Sequence, residues 1–197
     1  MFSDLPHFIE TVGYIGIFII IFSETGLLVG VIFPGDTLLF SAGILAALGE
    51  FSLPLIIILS TVAAITGDAV GYLTGKKIGP KIFTKEDSFF FRKSYVEKAQ
   101  KFFHDHGVKT IMFARFVPVV RTFAPFLAGV GKMQYEKFAL YNVLGGIVWC
   151  VSVPLLGYYL GRTFPEIEKL ILPLILAVVV LSFIPLTVAY FRRKNHV

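Results

Sequence analysis

Five ionisable residues stand in stretches of sequence that are otherwise apolar: Glu24, Asp36, Asp68, Arg115 and Arg121. At membrane depth a single charge costs roughly 2.5–3.5 kcal/mol on insertion scales. Four of them unpaired would cost on the order of 10–14 kcal/mol, as much as the whole stability of a typical domain. Such charges must pair, meet water or hold a ligand. An ion-pair network in which Glu24 and Asp36 balance Arg115 and Arg121 would satisfy them. Buried pairs add little net stability over apolar packing, however, so stability alone is a poor reason to keep four. The residue types suggest a division of labour. Arginine stays protonated and presents a fork that matches phosphate oxygens, so Arg115 and Arg121 are expected to clamp an anionic group. A carboxylate near a cation can exchange protons as its surroundings alternate, so Glu24 and Asp36 are expected to carry coupling protons or cations. Asp68 is assigned to the same role. It lies nearer the end of its span, where it is expected to be hydrated or to pack against Tyr72.

The background that makes these charges unusual is compositional. Of 197 residues 56% are hydrophobic and only 16% charged, too few to dress the surface of a soluble domain. The chain is expected to be one membrane domain with no room for a large soluble enzyme module. Its net charge of +5 fits cytoplasmic loops and anionic lipid headgroups better than nucleic acid. Cys150 is the one cysteine, so an intramolecular disulfide is impossible, and a small apolar packing role is expected. The N-terminus lacks the basic region and small-residue cleavage site of a signal peptide, so the first apolar segment is expected to stay in place. No metal or organic cofactor is expected; a coupling proton or sodium ion is. The sequence carries no signal for an oligomeric state.

Four segments are long enough to span a bilayer: about 10–31, 53–75, 135–161 and 170–191. Two others, about 33–49 and 108–130, are interrupted. The first opens Phe33-Pro34-Gly35-Asp36, and the second contains Arg115, Pro118, Arg121 and Pro125. Proline removes a backbone donor and breaks the helix, leaving pieces too short to cross. Irregular backbone at that depth survives only when buried in protein or lining a wet cavity. Both are therefore expected to be re-entrant hairpins, shaped by Pro34, Gly35, Pro118 and Pro125. Charge counts orient them. With both termini cytoplasmic, fourteen of the eighteen Lys and Arg lie inside and only Arg162 and Lys169 lie outside. The first hairpin then enters from outside and the second from inside. Residues 77–106 form a cytoplasmic stretch, of which 94–106 reads as an amphipathic helix on the membrane surface. His104 and His106 there are expected to be solvated.

Shifting the sequence by 86 residues aligns the two halves without a gap over about 35 positions. Ala42-Gly43 falls on Ala128-Gly129, Gly71-Tyr72 on Gly157-Tyr158 and Gly75-Lys76 on Gly161-Arg162. The repeats run from about 10–76 and 107–162, with the 170–191 helix outside them. The two matched spans run in opposite directions, so the fold class expected is an all-α integral membrane protein with an inverted repeat. Such repeats place substrate sites near the bilayer midplane. Gly67, Gly71 and Gly75 give one flat helix face for close packing.

Three motifs in order carry a resemblance. They are Glu24 with Phe33-Pro34-Gly35-Asp36; Gly67-Asp68 followed by Gly71-Tyr72 and Gly75-Lys76; and Phe116, Pro118, Arg121 and Ala124-Pro125 with Ala128-Gly129. Over residues 10–165 the chain resembles the DedA family, within the wider DedA/VTT superfamily of lipid transporters and scramblases. The resemblance implies a bacterial inner-membrane protein that returns undecaprenyl phosphate from the outer to the cytoplasmic leaflet, linked to proton-motive force. It also implies functional roles for Glu24, Asp36, Arg115 and Arg121. Two other readings are open at this stage. A proton/cation antiporter would use Glu24 and Asp36, although two arginines repel cations. An undecaprenyl pyrophosphate phosphatase would need a nucleophile, and His7, His104, Ser41 and Thr37 are poorly suited to supply or activate one. A purely structural membrane protein would leave the arginines unexplained.

Overall fold

A computed structural model describes residues 5–26, 35–82, 110–115 and 117–164. Phe33, Pro34, the 94–106 segment with its histidines and the 170–191 helix lie outside the described residues. Within them the chain is helical, with no strand: α1 Leu5–Gly26, α2 Gly35–Ala47, α3 Leu53–Ile82, α4 Thr110–Ala114, α5 Pro118–Val130 and α6 Tyr135–Thr163. Two helices, Leu53–Gly79 and Tyr135–Thr163, are long and apolar enough to cross a membrane. At about 1.5 Å per residue, α2 and α5 reach only about 20 Å each, short of the ~30 Å hydrocarbon core.

The second interruption falls where proline chemistry puts it. Pro118 disfavours helical backbone in the residue before it, and Val117 is extended at φ −112°, ψ 106°. The proline's fixed φ then suits the first turn of α5, whose ladder starts with Arg121 N donating to the Val117 carbonyl at 3.0 Å. Pro125, inside α5, has no N–H to offer the Arg121 carbonyl one turn back. α3 continues seven residues past the expected end at 75. The reason is packing: Gly75 and Gly79 lie against Phe126 and Val130 of α5, which rewards continuing the helix.

The chain divides into two units. One gathers α1 as far as Ile20, Ile32–Leu59 and the chain from Val151; the other gathers Ile21–Val31 and Ser60–Cys150. In the first, Ser52 N donates to Tyr14 Oη at 2.7 Å, and Tyr14 meets Phe51 edge-on at 5.1 Å. In the second, Tyr72 stacks on Phe138 at 4.6 Å and donates to the Met133 carbonyl, beside a core of Ile111, Ala114, Ala124 and Ala128.

Each unit contains one close helix crossing built from the same contacts. In the first, a Cβ on Gly43 would stand 2.1 Å from the Pro154 carbonyl oxygen, and one on Gly157 would stand 2.1 Å from that of Phe40. In the second, Gly129 approaches the Tyr72 carbonyl at 2.0 Å and Gly75 approaches that of Phe126 at 2.1 Å on the same construction. Only glycine permits these approaches. Going from one crossing to the other, Phe40 and Gly43 map onto Phe126 and Gly129, an offset of 86. Pro154, Gly157 and Gly161 map onto Tyr72, Gly75 and Gly79, an offset of 82. The spans are thus matched one helical turn away from the gapless alignment.

The helix caps account for three of the slip's four residues, and the connections account for the fourth, with five residues from 48 to 52 against four from 131 to 134. Both α2 and α5 end in a left-handed residue, Gly49 at φ 88° and Lys132 at φ 54°. The paired bonds are Glu50 N to Leu45 O with Gly49 N to Ala46 O, and Met133 N to Ala128 O with Lys132 N to Gly129 O. The cap follows Gly43 by six residues but Gly129 by three, so the second turn comes almost one helical turn earlier.

Candidate functional site

Four of the five singled-out charges converge in the second unit, each on a different element. Glu24 stands near the end of α1, Asp68 in the middle of α3, Arg115 at the break after α4 and Arg121 in the first turns of α5. All four are buried, at 3–6% exposure. They form two ion pairs, Arg121 Nη2 with Glu24 Oε1 and Arg115 Nη2 with Asp68 Oδ2. The expectation that Asp68 is hydrated or packs on Tyr72 is therefore corrected: Asp68 supplies the carboxylate of Arg115. Tyr72 turns instead to Phe138 and Met133. Asp36 opens α2 in the first unit, half-buried.

The two acids are brought in by a tight crossing of α1 and α3. A Cβ on Gly67 would lie 2.1 Å from Thr25 Oγ1 and 2.8 Å from the Phe22 carbonyl oxygen, and Gly26 packs on the Gly67 backbone. Glu24 and Asp68 flank this crossing in sequence. Further along the same glycine face, Gly71 faces Pro125 and Gly75 faces Phe126. The stripe therefore seats α1 at one end and α5 at the other, which fixes the carboxylates against the arginines.

Two site residues had no assigned role in the sequence reading. Asn142 accepts from Arg115 Nη2 through Oδ1 and donates through Nδ2 to the Ile65 carbonyl at 3.1 Å. Trp149 lies under Arg121, with the guanidinium carbon 4.4 Å from the ring centroid. Both are 2% exposed. The signal that could have found Asn142 is a carboxamide inside an apolar run, seven residues before the lone tryptophan. Arg115 Nε is buried with no hydrogen-bond partner among the described residues. A buried guanidinium donor left unmet is costly, and it is the group an added oxyanion would satisfy.

Residues 33–159 match the VTT domain. The chain is 44% identical to Protein DedA of Escherichia coli over 184 residues, covering 92% of this chain and 84% of that protein. It belongs to the DedA family. Relatives within reach of this DedA-family chain include an uncharacterized membrane protein of Mycobacterium tuberculosis, 42% identical over 91% of the chain and 81% of its own length. Inner membrane protein YqjA of Escherichia coli is 35% identical over 76% of the chain and 68% of its own length. No solved structure matches. The chain is thus a DedA-family membrane protein whose buried charges, among the described residues, include two arginine–carboxylate pairs.

Proposed function

We propose that this protein carries an isoprenoid lipid phosphate, undecaprenyl phosphate, from the outer to the cytoplasmic leaflet of the bacterial inner membrane. The observation that supports this most is that both buried arginines are paired with carboxylates. An ion pair of this kind is exchangeable. A lipid phosphate can take the guanidinium forks of Arg115 and Arg121 as Asp68 and Glu24 release them. A carboxylate left behind in low dielectric favours its neutral form, so release is accompanied by proton uptake. Coupling to the proton-motive force then follows from charge balance. The isoprenoid tail stays in lipid throughout. Asp36 is a further coupling carboxylate on the first repeat, and the two hairpins enter from opposite faces, with both termini cytoplasmic.

The test is leaflet-resolved transport of undecaprenyl phosphate by purified protein in proteoliposomes, with and without a pH gradient. Arg121→Ala is expected to abolish headgroup binding and transport while the protein remains folded. Normal transport by that variant would refute the reading. One observation favours a second reading, a proton/cation antiporter: the arginines are charge-balanced, which lowers their repulsion toward a cation. Sodium-driven proton flux in vesicles free of isoprenoid phosphate would support it over lipid transport.

A further inference from the structure

Asn142, Gly145, Gly146 and Trp149 fall at spacings of three, four and seven on α6, which places them on one face of the helix. Every one of them is buried, and every one meets an arginine. Asn142 accepts from Arg115. A Cβ on Gly145 would stand 3.0 Å from Arg115 Cδ and 3.2 Å from Met112 Cα, so the glycine leaves the space that the arginine stem fills. A Cβ on Gly146 would stand 3.6 Å from Arg115 Cζ and 3.2 Å from Ile65. One turn further on, Trp149 supplies the ring over which Arg121 lies.

We propose that this stripe of α6 is the positioning surface of the anion site. Asn142 and the two glycines hold Arg115, and Trp149 holds Arg121, so that both forks keep their aim when their carboxylates let go. The inference rests on the reading that the arginines bind an isoprenoid phosphate. Its physical content is that neither contact competes with an oxyanion. An amide oxygen occupies one Nη2 hydrogen and leaves Nε and Nη1 of Arg115. A ring face contacts the guanidinium plane, whereas an oxyanion approaches in that plane at the edge. A cation over an indole in a water-poor setting contributes enough to change binding by about five- to thirtyfold.

Trp149 is the chain's one tryptophan, so the site carries its own reporter. The full-length protein in detergent is titrated with geranylgeranyl phosphate, followed both by tryptophan emission and by equilibrium dialysis of the labelled lipid. A saturable emission change in step with binding is expected, and it should vanish in Arg121→Met. Trp149→Leu should weaken binding by about five- to thirtyfold, whereas Trp149→Phe, which keeps a ring face, should stay within about threefold. Gly145→Ala, which presses on the Arg115 stem, should weaken binding with the Trp149 reporter still in place. If wild-type protein binds the lipid with no change in emission, or if Trp149→Leu binds as tightly as wild type, the positioning role is overturned and the transport reading stands. If wild-type protein does not bind the lipid at all, both fall together.

Discussion

Replacing Arg115 by Met separates what its ion pair does for folding from what it does for transport. Asp68 is 3% exposed and would be left as a buried charge without its partner. Breaking a buried pair from one side costs about 3–5 kcal/mol. The Asn142 oxygen also loses its Arg115 donor, about 1–3 kcal/mol more if nothing replaces it. For a chain of this size 1 kcal/mol moves the unfolding midpoint by about 2–4 °C, so the two losses together should make Arg115→Met melt roughly 6–32 °C lower. Adding Asp68→Asn removes the stranded charge. The double variant should recover most of the loss and melt within about 5 °C of wild type, because a buried pair replaced on both sides is often nearly neutral. Transport should not recover, since the anion fork is gone. The two readouts are thermal unfolding in detergent and transport in proteoliposomes. A single variant as stable as wild type would show that the pair does not hold a buried charge. A double variant that transports at the wild-type rate would show that the pair is structural only.

Three other perturbations follow from the fold. Gly129→Val places a branched side chain where even a Cβ would sit 2.0 Å from the Tyr72 carbonyl oxygen; it should push α5 off α3, lower stability by at least about 1–3 kcal/mol and reduce transport, measured together by thermal unfolding and proteoliposome assay. Lys132→Gly relieves a left-handed conformation at the end of α5 and should raise stability by up to about 1 kcal/mol with transport unchanged, read as a shift in the unfolding midpoint. Cys150 is fully buried, so maleimide labelling should be slow in folded protein and should become rapid across the unfolding transition.

The parts of this site that could be read from the sequence are those with a local cause. Pro118 breaks a helix by its own ring, so the interruption beside Arg115 needed no tertiary knowledge. Glu24, Arg115 and Arg121 stood out because a charge in an apolar run is expensive wherever the run ends up. Pairing has no such cause. Asp68 and Arg115 are 47 residues apart, and nothing near either one says that the carboxylate of Arg115 comes from α3. Asn142 and Trp149 were passed over because a carboxamide and an indole cost little to bury once they have partners, and the partners come from other helices. The continuation of α3 past Gly75 was likewise decided by Val130 on another element.

The one-turn slip between the two crossings has a consequence for how such chains diverge. Each glycine approach is a property of a pair of positions, so the pairs Gly43 with Pro154, Phe40 with Gly157, Gly129 with Tyr72 and Gly75 with Phe126 should change in concert across relatives. Gly71 and Gly157, which match by letter, should drift independently, because they sit in different contacts. The correspondence between the two halves is therefore carried by contacts between helices and not by the letter match, with the four-residue offset taken up between Gly129 and Tyr135.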